Sequence, residues 1–302
     1  MRKLLLFLSE HHGLKELLLR LPAARRVAHR FVAGDTLSDA LRATDELNRQ
    51  GLRVTLDYLG ESVTDASEAE AAAEAYLESL EAIDRVSADA TISLKLTQLG
   101  LDIDGESCAR NLERIVARAA ELGNFVRIDM EGSEHTDATL RLFKRTFQRH
   151  RNVGVVLQSY LYRSERDAAE MVRIGGPVRL CKGAYEEPES VAFQDKSMVD
   201  KNFVLIMKML LDGGVPTAIA THDEKMIRAT RRHAERRGID QDRFEFQMLY
   251  GVRRDAQARL VSEGYQMRVY VPYGSEWYAY LMRRMAERPA NLLFVLRALV
   301  GD

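Results

Sequence analysis

Past residue 50, short apolar runs rich in β-formers alternate with longer stretches whose apolar positions recur at helical spacing. That alternation is the signature of βα units feeding a parallel sheet. Eight runs can be counted: Arg53 to Leu59, Thr91 to Leu96, Phe125 to Met130, Val153 to Gln158, Val178 to Lys182, Thr217 to Thr221, Phe244 to Leu249 and Met267 to Val271. Between them the spacing predicts helices such as Ser67 to Ile83, Cys108 to Leu122, Asp137 to His150, Glu165 to Ile174, Lys225 to Arg237 and Asp255 to Glu263. Gly123, Gly175, Gly238 and Gly264 stand where such helices close.

Strand starts lie about 25 to 38 residues apart, close to the size of a βα repeat, and eight repeats close a barrel rather than leave an open sheet. The rival, an open doubly wound sheet, lacks its usual nucleotide anchors: no G-x-G-x-x-G follows a strand and no Walker phosphate loop occurs. The expected fold is therefore α/β, a (β/α)8 TIM-type barrel over residues 46–302 behind an N-terminal helical extension over residues 1–45. The longest loop, Glu186 to Lys201 after the fifth run, is charged and reads either as a lid or as an insertion.

With 302 residues, 46% of them hydrophobic, the chain can bury a sizeable core. Its 44 basic and 45 acidic residues leave no global field to attract nucleic acid, so the substrate is expected to be small and charge recognition local. Cys108 and Cys181 are far apart and in no metal-ligand spacing, which suggests neither a disulfide framework nor a metal site and fits a reducing cytoplasm. The apolar start Leu4 to Leu8 stops at Ser9, too soon for a secretion leader. No segment approaches the roughly 20 apolar residues of a spanning helix. The expected location is cytoplasmic. Peripheral contact with the inner face of the cell membrane through Leu4 to Arg30 stands against packing of that stretch on the domain.

Barrel active sites gather at the C-terminal strand ends. There the sequence places Tyr58, Gly60 and Glu61; Lys95, Thr97 and Gln98; Asp129, Met130 and Glu131; Gln158 and Tyr160; Arg179, Lys182 and Tyr185; Thr221, His222 and Asp223; Gln247; and Tyr270. Charges inside buried strands are costly unless paired or used, which singles out Lys95, Asp129, Arg179 and Lys182. Lys95 with Asp129 reads equally as a structural ion pair across adjacent strands. Two cations on one short strand, Arg179 and Lys182, suit an anionic cofactor with a pyrophosphate and an electron-rich ring. His222 alone receives no acid–base role.

After the Pro272 to Gly274 turn, Ser275 is a plausible N-cap, and Tyr280, Arg283, Arg284 and Glu287 share one helix face. Tyr278, Leu281, Met282 and Met285 form an apolar face at the same spacing. Such a helix could dock at the barrel mouth while two guanidinium groups grip one carboxylate. The bland alternative is a solvated charged face with Glu287 paired to an arginine.

These residues resemble the proline dehydrogenases, both the monofunctional bacterial form and the dehydrogenase domain of the bifunctional proline utilisation enzymes, over nearly the whole chain from about residue 50. The resemblance is carried by Leu56-Asp57-Tyr58-Leu59-Gly60-Glu61, Ser93-Leu94-Lys95-Leu96-Thr97, Arg127-Ile128-Asp129-Met130-Glu131, Val156-Leu157-Gln158-Ser159-Tyr160 and Arg179-Leu180-Cys181-Lys182-Gly183-Ala184-Tyr185. It continues through Ala220-Thr221-His222-Asp223, Phe244-Glu245-Phe246-Gln247-Met248-Leu249-Tyr250-Gly251 and the Y-x-x-R-R-x-x-E from Tyr280 to Glu287.

The resemblance implies FAD-dependent oxidation of L-proline to 1-pyrroline-5-carboxylate by hydride transfer to flavin N5. The electrons pass to a membrane quinone, and a separate aldehyde dehydrogenase takes the next step towards glutamate. Residue by residue, it implies that Arg283, Arg284 and Lys95 hold the proline carboxylate, with Tyr270, Tyr280, Leu249 and Tyr185 around the ring. Asp129 is implied as the active-site aspartate and Arg179 as the cation at N5, where positive charge makes the flavin a better oxidant. Glu61 is implied as a gate paired with Arg283. Met130, Gln158, Arg179, Lys182, Gly183, Ala184, Thr221 and His222 are implied as cofactor contacts. Tyr280 is implied to crowd the ring carbon that would bear a hydroxyl, favouring proline over hydroxyproline. No general base is evident. Two rival readings stay open: an aldolase-type lyase using Lys95 or Lys182 as Schiff-base nucleophile, and a barrel that only binds an amino acid.

Overall fold

A computed structural model describes residues 29–60, 63–278 and 280. Eight parallel strands close into a barrel in sequence order, and β8 pairs back onto β1. The strands are β1 (Arg53–Tyr58), β2 (Ala90–Leu94), β3 (Val126–Ile128), β4 (Val153–Gln158), β5 (Val178–Cys181), β6 (Thr217–Ala220), β7 (Phe244–Leu249) and β8 (Gln266–Tyr273). Helix α1 (Leu37–Asn48) precedes them. Between the strands run α2 (Ala66–Arg85), α3 (Gly105–Glu121), α4 (Thr136–Phe147), α5 (Ser164–Ile174), α6 (Lys196–Asp212), α7 (Glu224–Arg237) and α8 (Arg254–Ser262). Each of the eight predicted strands and of the six helices predicted between them has its counterpart, with ends shifted by at most a few residues, whereas most of the helical extension over residues 1–45 and of the helix expected after Ser275 lies outside the described residues.

Local chemistry explains the helix boundaries. Asp65, Asp104, Asp195 and Asp223 precede α2, α3, α6 and α7, and each side chain accepts hydrogen bonds from first-turn amides. Gly175 and Gly238 close α5 and α7 at φ 72° and 63°, where a side chain would be strained. The segment read as a loop from Glu186 to Lys201 is shorter than expected, because α6 begins at Lys196 under its Asp195 cap. What precedes α6 is fastened down: Leu161 bridges Ala192, the Phe193 amide donates to the Tyr160 carbonyl at 2.8 Å, and the Ser133 amide donates to Glu187 at 2.7 Å.

Helix α1 packs on β1 and β8, so the boundary expected between residues 45 and 46 falls inside it. Ahead of it, Phe31 and Val32 are buried, and the Ala33 amide donates to the Pro272 carbonyl at 2.9 Å. Among the described residues no helix is long and apolar enough to cross a membrane.

Strand parity divides the barrel. Val54, Leu56, Ile92, Leu94, Val126, Ile128, Leu180, Phe246 and Val269 join one hydrophobic core with the helices. Positions of the other parity carry Asp57, Ser93, Lys95, Arg127, Asp129, Arg179, Glu245, Gln247, Arg268 and Tyr270. The barrel interior is thus polar. Buried charges there must be paired and hydrogen-bonded, since each unpaired one carries a large desolvation penalty.

Candidate active site

At the C-terminal strand ends lies a cavity of about 460 Å³, walled by residues from β2 to β8 and the loops that follow them. Its floor is a chain of alternating charge. Lys95 donates to Asp57 at 2.9 Å and stands 4.0 Å from Asp129, and Arg179 donates to Asp129 at 2.6 Å. Ser93 donates to the same Asp129 oxygen at 2.6 Å, while the Tyr270 hydroxyl donates to the other at 2.8 Å. The Arg179 guanidinium lies 5.3 Å from the Tyr270 ring centre.

Two carboxylates and two cations cancel, which is how four charges can share a buried floor. Burial pushes the Asp57 carboxyl up, and the Lys95 ammonium works against that rise. Burial, then the Asp129 charge, raises the Tyr270 hydroxyl well above its ordinary range, so it stays protonated and donates. Asp129, engaged by Arg179, Ser93 and Tyr270, acts as a wall that orients its neighbours.

A second neutral cluster lies at the edge. Lys182 bonds to Asp200 and, at 2.7 Å, to Asp223, while Lys196 bonds to Asp200 at 2.7 Å. Burial works to raise the Asp223 carboxyl, but hydrogen bonds from Lys182 and the Lys225 amide outweigh it and hold the pKa at about 2. The Leu249 amide donates to His222 Nε2 at 2.9 Å, so that nitrogen is unprotonated and the ring is fixed in direction.

Three features fit a flat polar cofactor. Gln158 gives its amide N–H to the Glu131 carbonyl at 2.7 Å, leaving its buried Oε1 without a partner among the described residues. Arg179 Nε is likewise buried and unpartnered. An unsatisfied buried polar atom calls for an explanation, and a ligand is one. Gly183 has φ 112°, and a side chain there would run into the Tyr160 ring. Gly183→Ala is expected to cost about 1–3 kcal/mol through strain and overpacking, and to loosen cofactor retention. Thermal melting and the share of bound cofactor that survives gel filtration check both; unchanged values would contradict the cradle.

Lys95, Asp129, Met130, Arg179, Lys182, Gly183, Ala184, Tyr185, Thr221, His222, Leu249 and Tyr270 all line the cavity. Gln158 and Tyr280, both buried, are not among the lining residues. Glu61, Arg283 and Arg284 lie outside the described residues.

Lys95 does stand at ion-pair distance from Asp129, 4.0 Å, but its closer partner is Asp57, and Asp129 is held more closely by Arg179. Sequence reasoning gave Asp57 no role. A carboxylate within an apolar strand was the available signal. Arg127, Glu245 and Arg268 escaped for a different reason, since they sit at the opposite strand ends. Among the described residues, no group of three or more His, Cys, Asp or Glu is placed to hold a metal ion.

A family model described as Proline dehydrogenase matches residues 40–297. Proline dehydrogenase 1 of Bacillus subtilis subsp. natto is 42% identical over 300 residues, 99% of each chain. Proline dehydrogenase of Deinococcus radiodurans is 41% identical, covering 91% of this chain and 90% of that one. Among solved structures, proline utilization A from Bdellovibrio bacteriovorus, inactivated by N-propargylglycine, superposes with a TM-score of 0.83 at 26% identity. The match covers 87% of this chain and 33% of that one.

Proposed function

The chain belongs to the proline dehydrogenase family, and from that premise we propose that it oxidises L-proline to 1-pyrroline-5-carboxylate with FAD as cofactor and a membrane quinone as final acceptor. The observation that carries this reading is the cavity floor, where an ammonium and a guanidinium are each held by a buried carboxylate beside unsatisfied polar atoms.

In the reaction, C5 of proline loses a hydride, the nitrogen loses a proton, and a C=N bond forms between them. FAD, when bound, supplies the two-electron acceptor for that hydride. Met130, Gln158, Arg179, Lys182, Gly183, Ala184, Thr221 and His222 hold it. Arg179 supplies positive charge on its oxidising side. Lys182 acts partly through Asp200 and Asp223, whose charges it already balances.

The described floor is neutral, so an incoming carboxylate needs further cations. Arg283 and Arg284 supply them beside Lys95, with Glu61 paired to Arg283 as a gate. Tyr185, Tyr270, Tyr280 and Leu249 enclose the ring. The amine proton goes to solvent, because Asp129 is already engaged by three donors. Both lysines that a Schiff-base lyase would use are engaged by carboxylates, Lys95 by Asp57 and Lys182 by Asp200 and Asp223, which counts against that reading. The enzyme works in the cytoplasm or peripherally on the inner face of the cell membrane, and a separate aldehyde dehydrogenase consumes its product.

The proposal is tested by supplying the flavin-loaded protein with L-proline and a soluble quinone analogue. One pyrroline product should appear, trapped with o-aminobenzaldehyde, for each quinone reduced; no product from folded, loaded protein would contradict it. Tyr280→Ser should weaken proline turnover and narrow its advantage over hydroxyproline. An unchanged ratio of kcat/KM values would count against the placement of Tyr280 at the ring.

A further inference from the structure

The barrel has a second cavity, about 210 Å³, at the N-terminal strand ends, with Arg127, Glu245 and Arg268 in its wall. The redox reading above makes no use of it. Arg127 is only 7% exposed, and its Nη1 donates to the carbonyls of Val155 at 3.3 Å and Pro177 at 3.0 Å. The Phe125 ring lies 4.9 Å from its Cζ. Its opposite edge, Nε with Nη2, makes no hydrogen bond among the described residues and is not sealed off. Arg127 is one of the residues that line the cavity.

The strand next to it is shaped for this side chain. Gly154 pairs in register with Arg127, and any side chain at Gly154 would collide with the guanidinium. A glycine inside a strand marks a close approach of this kind.

Among the described residues no carboxylate forms an ion pair with Arg127. The nearest acid in the wall, Glu245, is taken by both contacts from Arg268 Nε, at 3.0 and 3.1 Å, and by Gln247 at 2.5 Å. At the rim, exposed Asp242 and Arg243 offset each other. Arg179, also in the wall, has its charge matched by Asp129. The cavity therefore keeps one unmatched positive charge on a buried group. Burial, then repulsion from Arg179, outweighs the attraction of Glu245 and Asp129 and drives the Arg127 pKa down to about 9.

We propose that this cavity is a binding site for a small inorganic oxyanion, seated on the Nε–Nη2 edge of Arg127. A guanidinium edge offers two parallel donors that match two oxygens of phosphate or sulfate. The space exceeds that of several waters, each about 30 Å³ in the liquid, so a small oxyanion fits with its own hydration. In barrels of this type the N-terminal face serves stability rather than chemistry. An anion bound there stabilises the fold by mass action and leaves the substrate carboxylate its own site at the other end.

The test uses flavin-loaded protein purified without oxyanions. Inorganic phosphate is titrated while gluconate holds ionic strength constant. A saturable rise in melting temperature is expected, and Arg127→Met should shift its midpoint at least tenfold to higher phosphate. A rise that follows ionic strength alone, or one identical in the variant, overturns the proposal. Should the variant not fold, crystals of the loaded wild-type protein soaked in selenate decide the matter. An anomalous peak beside Arg127 supports the site; water alone there, or selenate bound only elsewhere, overturns it.

Discussion

Arg179→Met should lower proline turnover by a factor of about 10²–10³ and move the bound flavin to a more negative potential. The substitution removes the cation proposed to favour the reduced flavin, and it strips Asp129 of its 2.6 Å partner. Asp129 then keeps only Ser93, Tyr270 and a lysine 4.0 Å away. Leaving a buried carboxylate so poorly matched costs about 3–5 kcal/mol of stability. Arg179→Lys restores the charge but not the Nε donor, so it should recover part of the potential and less of the turnover. A variant with wild-type potential and turnover would remove Arg179 from the chemistry and leave it a structural ion.

Lys95→Met should act on binding and on stability by separate routes. Loss of the contact proposed between Lys95 and the proline carboxylate is expected to raise KM about 10- to 100-fold. The stability effect runs through Asp57, whose pKa lies above its ordinary 3.8 because burial raises it more than Lys95 lowers it. Without Lys95 it rises further. An acid with a raised folded pKa contributes stability that is fully present below the unfolded pKa and is lost as pH climbs through the folded one. The variant should therefore lie close to wild type below the ordinary carboxyl pKa of 3.8 and fall behind by about 3–5 kcal/mol as pH climbs above it. Adding Asp57→Leu should restore stability, since a buried pair is replaced by apolar groups, without restoring KM. A deficit independent of pH would contradict the pairing.

The fold was legible because two periods coexist in the chain, one of βα repeats and one of strand alternation. The cavity wall was legible from the C-terminal strand ends, where Lys95, Asp129, Arg179 and Tyr270 do converge. Less accessible was the polar interior as a whole. Which charge meets which depends on register across the barrel: Asp57 pairs across from Ser93 on β2, which brings it to Lys95 two residues on, whereas Asp129 is reached by Arg179 from two strands away. Sequence adjacency suggested Lys95 with Asp129, which do stand 4.0 Å apart, but three-dimensional closure gave each a closer partner. Helix α6 hid for a local reason. Its first six residues carry Lys196, Asp200 and Lys201, a composition that reads as loop until the Asp195 cap is seen in place. Glu61, Arg283 and Arg284 lie outside the described residues, and their roles rest on the sequence resemblance.

The most direct measurement is an absorption spectrum of the purified protein, recorded before and after anaerobic addition of L-proline. Flavin bands that bleach on addition are expected and would tie cofactor, substrate and direction of reaction together. A folded protein that holds flavin which proline cannot reduce, or that neither carries nor takes up flavin, would contradict the account at its centre.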